Sequence, residues 1–218
     1  MNNYEHLKAR HRSERETWPT NLSLRVHRAL SWLNRAEQCD DNDGRFIFLW
    51  VTFNAAYAQE LSEFSHGREQ EKSRAFINKL VELDSDKKLY QLVWEEFSTS
   101  IRVLLANRYV FAPFWEHQQG HKTEAQWEEA FQAANRSANH ALAAGDAGKA
   151  LGLILSRLYT QRNQLVHGGA TWDSEVNREQ LRDCTAFLGK LVPVVIELMM
   201  DNPDTLWGDP SYPVIEAQ

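Results

Sequence analysis

Apolar residues recur every three or four positions along most of this chain, and this spacing is the period of an α-helix. The pattern predicts a first helix that starts after Thr20 or Asn21 and ends before the segment CDDNDG at 39–44. Further helices are predicted near 45–62, 68–83, 86–110, 123–143, 149–167 and 173–200, the last bent or restarted at Pro193. An aromatic connector, FAPFWEHQQGHK, occupies 111–122. We therefore expect an all-α fold, an antiparallel bundle of about six to eight helices in a single domain.

The predicted helices differ in how much of their surface they bury. The first has an apolar face formed by Leu22, Val26, Leu30 and Leu33, with Arg25, Arg28 and Arg35 expected on its polar side. The segment RFIFLWVTFNAAYAQELS at 45–62 is apolar nearly all round. A helix of that kind is buried on most sides, so we place it at the centre of the bundle. Trp172 and Trp207 follow predicted helices and are expected to be exposed.

Glycine and proline are scarce, with 10 and 6 residues respectively, and the stretch 68–112 contains neither. An all-β sandwich needs turn residues about every 8–12 positions, so an all-β fold is excluded. The charged segment 1–20 lacks apolar periodicity and is expected to be a lead-in that is mobile or lies on the surface. Residues 21–200 are expected to form the helical domain, and 201–218, with three of the six prolines, an irregular tail.

Charge and composition narrow the class of protein further. The formal net charge is −6, which argues against a protein that coats nucleic acid but permits a small cationic site. No apolar run reaches the roughly 18 residues that cross a bilayer, and the N-terminus lacks the apolar region of a signal peptide. The two cysteines provide no disulfide framework and no CxxC motif. These features favour a cytoplasmic protein without membrane contact.

The helix predicted at 149–167 carries the residues with the clearest chemical potential. Arg162 falls inside an apolar stripe that consists of Leu151, Ile154, Leu155, Leu158 and Leu165. A guanidinium keeps its charge when it is buried, so Arg162 needs a partner or a wet cleft. Asn163 and His167 share a different face, and Gly168 and Gly169 indicate that the helix ends there.

An Arg, an Asn and a His at one helix end suit phosphodiester chemistry. Arg162 would stabilise the charge on the phosphorane oxygens, and His167 would take a proton from a ribose 2′-OH or give one to the leaving 5′-oxygen. Asn163 would orient the imidazole or hold a phosphate oxygen. Arg162 and His167 lie about 140° apart around the helix. Two copies that meet across a two-fold axis would pool both residues in one cleft.

These residues carry a family resemblance. An Arg five residues before a His is expected by chance in this composition, whereas the added Asn and Gly-Gly make the pattern specific. RNQLVHGG at 162–169 resembles the RNxxxH signature of the HEPN superfamily, small all-α proteins of prokaryotic toxin and defence systems and of eukaryotic RNA processing. FLWVTFNAAY at 48–57, which contains Asn54, looks like the aromatic helix that precedes the signature in larger bacterial HEPN proteins.

The resemblance implies a homodimeric toxin or defence endoribonuclease that cleaves RNA by 2′-OH attack, with no metal ion and no cofactor. It implies Arg162 and His167 as catalytic residues, Asn163 in support, and an antitoxin or defence-system protein as a partner. The alternative is a catalytically inactive HEPN module that binds RNA, a nucleotide or a partner protein. Toxins paired with nucleotidyltransferase antitoxins have a Tyr two residues after the His. Gly169 occupies that position here, so regulation through such a Tyr is not expected.

Purely structural interpretations stand beside the functional ones. The end of this helix would then hold a capping His167 and an Arg162 paired with a nearby carboxylate, in a helical interaction domain. Asn54 is either a hydrogen-bonded polar residue of the core or a supporting residue of the site. His117 and His121 have the spacing of metal ligands but no evident third ligand, so we expect a surface pair.

Overall fold

A computed structural model describes residues 3–57, 66–175, 178–205 and 207–208 of the chain. Every regular element in these ranges is helical, which confirms the all-α fold that the sequence predicts. The α-helices are α1 (Asn3–Glu14), α2 (Thr20–Glu37), α3 (Asn42–Tyr57), α4 (His66–Leu83), α5 (Lys88–Gln91), α6 (Ser98–Ala106), α7 (Ala112–Gln118), α8 (Glu124–Ala144), α9 (Ala147–Val166) and α10 (Arg178–Asp201). None of the helices in these ranges combines the length and the apolar character that a membrane span requires.

The chain divides into two compact units. Residues 1–76 and 188–218 form one, named the terminal unit, and residues 77–187 form the other, named the central unit. The described ranges contain more helices than the expected six to eight for three reasons. The lead-in forms α1, the aromatic connector contains α7, and the helix predicted at 86–110 is divided into α5 and α6. The proposed division of the chain at residues 20 and 200 stays a prediction.

The core of the terminal unit forms where α2 packs against α3. The apolar face of α2 is buried as expected, through Leu22, Val26, Leu30 and Leu33. No residue of α3 is fully exposed, because its sequence is apolar on nearly every side. The predicted residues 58–62 at the end of this helix lie outside the described residues. The C-terminal half of α10 adds buried side chains from Leu191 to Met200 and continues through Pro193 without a restart.

Arg25 does not lie on an exposed polar side of α2, although the sequence led us to expect it there. Its side chain is fully buried, with 0% exposure. The Nε atom donates to the carbonyl oxygen of Gly208 at 3.1 Å, and Nη1 donates to the carbonyl oxygen of Ala56 at 2.9 Å. The guanidinium thus donates to two backbone carbonyl groups, whereas Arg28 is half-buried and Arg35 is exposed.

The N-terminal segment, expected to be mobile or to lie on the surface, forms helix α1. Helix α1 packs on α2 and buries Leu7 and His11, although most of its other side chains are exposed. His11 Nε2 lies 3.3 Å from the carbonyl oxygen of Ser23. Arg10 binds the carboxylate of Asp201 at 2.6 Å. Two buried side chains and a long-range ion pair thus hold a segment without apolar periodicity. Desolvation, with nearby positive groups, lowers the pKa of His11, so burial favours its neutral form.

The two tryptophans expected to be exposed differ. Trp172 is 74% exposed, as predicted, whereas Trp207 is 4% exposed. The Trp207 ring lies edge-on to Phe76 with centroids 6.0 Å apart, and its Nε1 donates to the carbonyl oxygen of Asn202 at 3.0 Å. The chain between Asn202 and Trp207 turns back onto the terminal unit, which a prediction based on helix ends alone does not anticipate.

The central unit is built around α9, which packs against α6 and α8. Helix α8 begins with a capping box formed by Thr123 and Gln126. The helix predicted at 86–110 is interrupted at Phe97, where the dihedral angles are φ −121° and ψ 17°. A π-helical turn, Leu92–Glu96, precedes the break. Ser98, Thr99 and Ser100 follow it, and side chains of this type compete with helical backbone hydrogen bonds.

Candidate functional site

The C-terminal end of α9 places the residues of the RNxxxH motif. The helix ends at Val166, and Gly168 adopts the left-handed conformation with φ +70°. The Gly168 N–H donates to the carbonyl oxygen of Leu165 at 3.3 Å, and the Gly169 N–H donates to that of Gln164 at 2.7 Å. These two bonds form a Schellman motif. They confirm the helix end that Gly168 and Gly169 predicted from the sequence.

Arg162 carries a positive charge that no carboxylate neutralises within the described part of the chain. Its side chain is half-buried. Its Nη1 donates to Oδ1 of Asn163 at 2.8 Å, and its guanidinium carbon lies 5.9 Å from the centre of the Tyr159 ring. Both partners are uncharged, so the carboxylate partner that the purely structural interpretation requires is not found among the described residues. The guanidinium keeps its charge for an external anion.

Asn163 supports Arg162 rather than the imidazole. Its Oδ1 accepts the hydrogen bond from Arg162 Nη1, and its backbone carbonyl accepts the N–H of His167 at 3.0 Å. Of the two roles that the sequence left open, holding the imidazole has no supporting side-chain contact among the described residues. The observed bond instead limits the rotation of the guanidinium.

His167 stands at the C-cap of α9 with an exposed side chain. Its imidazole has no hydrogen-bond partner among the described residues. The side chain therefore does not cap the helix, although the residue occupies the C-cap position. The structure thus joins two of the three motif side chains. Arg162 and Asn163 are hydrogen-bonded to each other, whereas the His167 side chain is hydrogen-bonded to neither.

Exposed aromatic residues adjoin this helix end. The carbonyl oxygen of Tyr109 accepts from Gln164 Nε2 at 2.6 Å and from Trp115 Nε1 at 2.8 Å. Tyr109 is 39% exposed and Trp115 is 37% exposed. The guanidinium of Arg108 lies 5.1 Å from the centre of the Tyr109 ring. These contacts place Tyr109 beside Gln164, two residues after Arg162, and Trp115 beside Tyr109.

Sequence reasoning noted the aromatic connector but did not assign Tyr109 or Trp115 to the site. The signal was available in the segment RYVFAPFW at 108–115, which combines an arginine with four aromatic residues. What the sequence does not contain is the bond from Gln164 to Tyr109, which joins residues 55 positions apart.

Arg157, not Arg162, is the buried arginine of α9. It is 5% exposed, and its guanidinium carbon lies 4.3 Å from the centre of the Phe111 ring. Nη2 donates to the carbonyl oxygen of Leu105 at 3.2 Å, whereas Nε has no partner among the described residues. Desolvation lowers the pKa of Arg157 to about 10. These contacts belong to the packing of the central unit, so we do not assign Arg157 to the site.

Hydrogen bonds between side-chain amides link Asn107, Gln180 and Gln161, the residue before Arg162. Gln161 is 4% exposed, and its Oε1 accepts a hydrogen bond from Gln180 Nε2. The Oε1 of Gln180 in turn accepts from Asn107 Nδ2. This chain of amides joins α9 to the first turn of α10 within the central unit and restricts the rotation of the helix end that holds Arg162.

Asn54 lies on α3 in the terminal unit, whereas Arg162, Asn163 and His167 lie in the central unit. Its side chain is half-buried, and its Oδ1 is buried without a hydrogen-bond partner among the described residues. The expectation that Asn54 is a satisfied core residue therefore does not hold for Oδ1. Its supporting role in the site stays a prediction.

The histidine pair outside the motif takes part in local packing. His117 stacks on Trp127 with centroids 6.2 Å apart, and its Nδ1 lies 3.0 Å from the carbonyl oxygen of Lys122. His121 is exposed. Within the described ranges, no three His, Cys, Asp or Glu side chains are grouped so that they could hold a metal ion. His117 thus contributes to the packing of α7, and His121 is a surface residue.

The end of α9 offers an unneutralised guanidinium, an amide that holds it, and an exposed imidazole. This set can bind an anion and transfer a proton, which are the two requirements of phosphodiester cleavage. Comparison with protein-family models, curated proteins and solved structures finds no match to this chain.

Proposed function

We propose that this protein is a metal-independent endoribonuclease of toxin or defence type that cleaves RNA through attack by the ribose 2′-OH. The observation that carries the proposal is the state of Arg162, which is half-buried and has only uncharged partners among the described residues. Arg25 and Arg157 are buried and donate to backbone carbonyl oxygens, whereas Arg162 has no such acceptor among the described residues and is open enough for an external anion to reach it. His167, five residues later, supports the proposal because its imidazole is exposed.

The roles of the residues follow from their chemistry. His167 takes the proton from the 2′-OH as general base or gives one to the leaving 5′-oxygen as general acid. Arg162 stabilises the negative charge that develops on the phosphorane oxygens. Asn163 holds the guanidinium through the bond of 2.8 Å and so reduces the entropy lost when phosphate binds. No step requires a metal ion or a cofactor.

A homodimer completes the proposed site. Within one chain, Arg162 and His167 are about 140° apart around the helix, and their side chains share no hydrogen bond. A two-fold axis near the end of α9 would bring two Arg162 and two His167 side chains together. Two exposed apolar residues near the motif in the sequence, Val166 at 48% and Trp172 at 74% exposure, supply surface for such a contact.

The setting of the activity follows from the HEPN resemblance. A ribonuclease of this type acts in the cytoplasm, and an antitoxin or another defence-system protein keeps it inactive until it is needed. The −6 net charge confines RNA contact to the local cations Arg162 and Arg108 rather than to the whole surface.

A comparison of RNA with its 2′-O-methyl counterpart in EDTA tests this function. We expect the protein to cleave the RNA into fragments that end in a 2′,3′-cyclic phosphate and begin with a 5′-OH, because the 2′-OH is the nucleophile. The 2′-O-methyl strand should stay intact. Gel electrophoresis and mass spectrometry of the products provide the measurement. Cleavage of the 2′-O-methyl strand, or dependence of cleavage on added Mg²⁺, would contradict the proposal.

The second candidate is an inactive HEPN module that binds RNA, a nucleotide or a partner protein. It is favoured by the exposed Tyr109 and Trp115 beside Gln164, because unpaired bases stack on aromatic side chains and arginine. Binding of single-stranded RNA that is weakened by Trp115→Ala, together with no cleavage of any RNA, would favour this candidate over the ribonuclease.

A further inference from the structure

A cleft of about 350 Å³ opens on the central unit between α6 and the first turns of α10. Its floor is apolar and is formed by Phe97, Ile101, Leu104, Cys184 and Phe187. Phe97 and Phe187 meet edge to face with ring centroids 5.5 Å apart. Neither Arg162 nor His167 lines this cleft. Its volume lies at the lower end of the range for small-molecule sites, about 300–1,000 Å³.

Carboxylates stand along the α10 side of the cleft. Glu175, Glu179 and Asp183 line it at intervals of four residues. Glu175 and Glu179 have no ion pair within the described part of the chain, and Asp183 pairs only with the exposed Arg182 at 3.4 Å. Three carboxylates, of which only Asp183 has an ion pair among the described residues, give the rim of the cleft a net negative charge.

One cation, Arg178, also lines the cleft, but its guanidinium is engaged by other groups. Its Nη2 lies 3.9 Å from Oδ1 of Asp173, and its Nε donates to the carbonyl oxygen of Ser174. Asp173 lies outside the lining and partly neutralises this guanidinium. The charge that a ligand in the cleft meets is therefore negative.

We propose that this cleft binds a small cationic amphiphile, with an aryl or alkyl body on the apolar floor and an ammonium or guanidinium group at Glu179 and Asp183. These two residues are one helical turn apart, so their side chains are neighbours on the surface of α10. An ammonium group has three donors and can reach both carboxylates at once. The body removes the exposed parts of Phe97 and Leu104 from water. The site is separate from the proposed ribonuclease site, and its ligand has the opposite charge to RNA.

Three probes of one shape test the charge that the cleft selects. They are 4-phenylbutylamine, 4-phenylbutanol and 4-phenylbutanoic acid, and NMR titration of the full-length protein without RNA measures each dissociation constant. We expect the amine to bind at least about fivefold more tightly than the alcohol at low salt, and the acid to bind most weakly. Equal binding of amine and alcohol, or no binding of the amine, would overturn the proposal.

Two variants locate the binding. Glu179→Gln combined with Asp183→Asn should abolish the preference for the amine and leave alcohol binding unchanged. A matched pair on the exposed face of α8, Glu128→Gln with Glu129→Gln, should keep that preference. Ser100→Phe, which fills the cleft from the α6 side, should weaken all three probes. Preference for the amine that survives the first double variant would overturn the proposal, with circular dichroism verifying the fold of each variant.

Discussion

Arg162→Ala is expected to lower kcat for RNA cleavage in EDTA by about 10²–10³-fold. The guanidinium is the charged donor available to the phosphorane oxygens, and alanine leaves that charge without a partner in the transition state. Arg162→Lys should lose less, because lysine keeps a positive charge but lacks the planar pair of donors. Single-turnover cleavage of a fluorescent RNA at saturating protein measures this rate apart from RNA binding.

Arg136 provides the matched control for this substitution. It is an exposed arginine on α8, so Arg136→Ala removes the same charge from the surface of the same unit. Its kcat should stay within about twofold of the wild-type value. Equal rates for Arg162→Ala and the wild type would show that Arg162 has no part in the chemical step. Equal losses in Arg162→Ala and Arg136→Ala would point to general attraction of RNA instead.

Arg25→Ala is expected to lower the free energy of unfolding by about 3–5 kcal/mol. The substitution empties a fully buried volume and removes the Nη1 donor from the carbonyl oxygen of Ala56. The carbonyl oxygen of Gly208 loses the Arg25 donor and keeps the one from Asn21 Nδ2. The lost hydrogen bonds add to the cost of the cavity. Urea denaturation followed by circular dichroism provides the measurement.

Arg28→Ala on the same helix is the control for the buried arginine. Arg28 is half-buried, so its loss should change the free energy of unfolding by no more than about 0.5 kcal/mol. Similar values for Arg25→Ala and Arg28→Ala would contradict the role of Arg25 as a donor to backbone carbonyls.

The sequence predicted the features that depend on local patterns. The 3.6-residue period gave the all-α fold and the approximate bounds of α2, α8 and α9. Gly168 and Gly169 gave the end of α9, because only a left-handed residue closes a Schellman motif easily. Helical phase also placed Arg162 inside the apolar stripe of α9, and its side chain is indeed half-buried.

Phase alone could not show how deeply each arginine is buried. Arg162 lies in the last turn of α9, where Leu165 in the same stripe is also only half-buried. Arg157 lies outside the stripe by phase but is covered by Phe111 and Phe131, which come from other elements of the central unit. The burial of Arg25 likewise depends on distant parts of the chain, because its two hydrogen-bond acceptors belong to residues 31 and 183 positions away.

The surroundings of the site depend on contacts between distant parts of the chain. The bond from Gln164 to Tyr109 and the amide chain from Asn107 to Gln180 join residues 55 and 73 positions apart. Single-sequence periodicity reports which face of a helix is apolar and does not report which residues meet across helices. The position of Tyr109 beside Gln164 could therefore be found only from the structure, although the sequence shows that the segment is aromatic.

Co-expression of Arg162→Ala and His167→Ala chains tests the shared Arg/His site most directly. Each variant alone should cleave RNA in EDTA at least about 10²-fold more slowly than the wild type, since its dimer lacks one of the two groups. The mixed dimer contains one Arg162 and one His167, so cleavage should return in the co-expressed sample and scale with the fraction of mixed dimer. Cleavage at the wild-type rate by either variant alone, or no recovery in a verified mixed dimer, would contradict a catalytic site that two chains share.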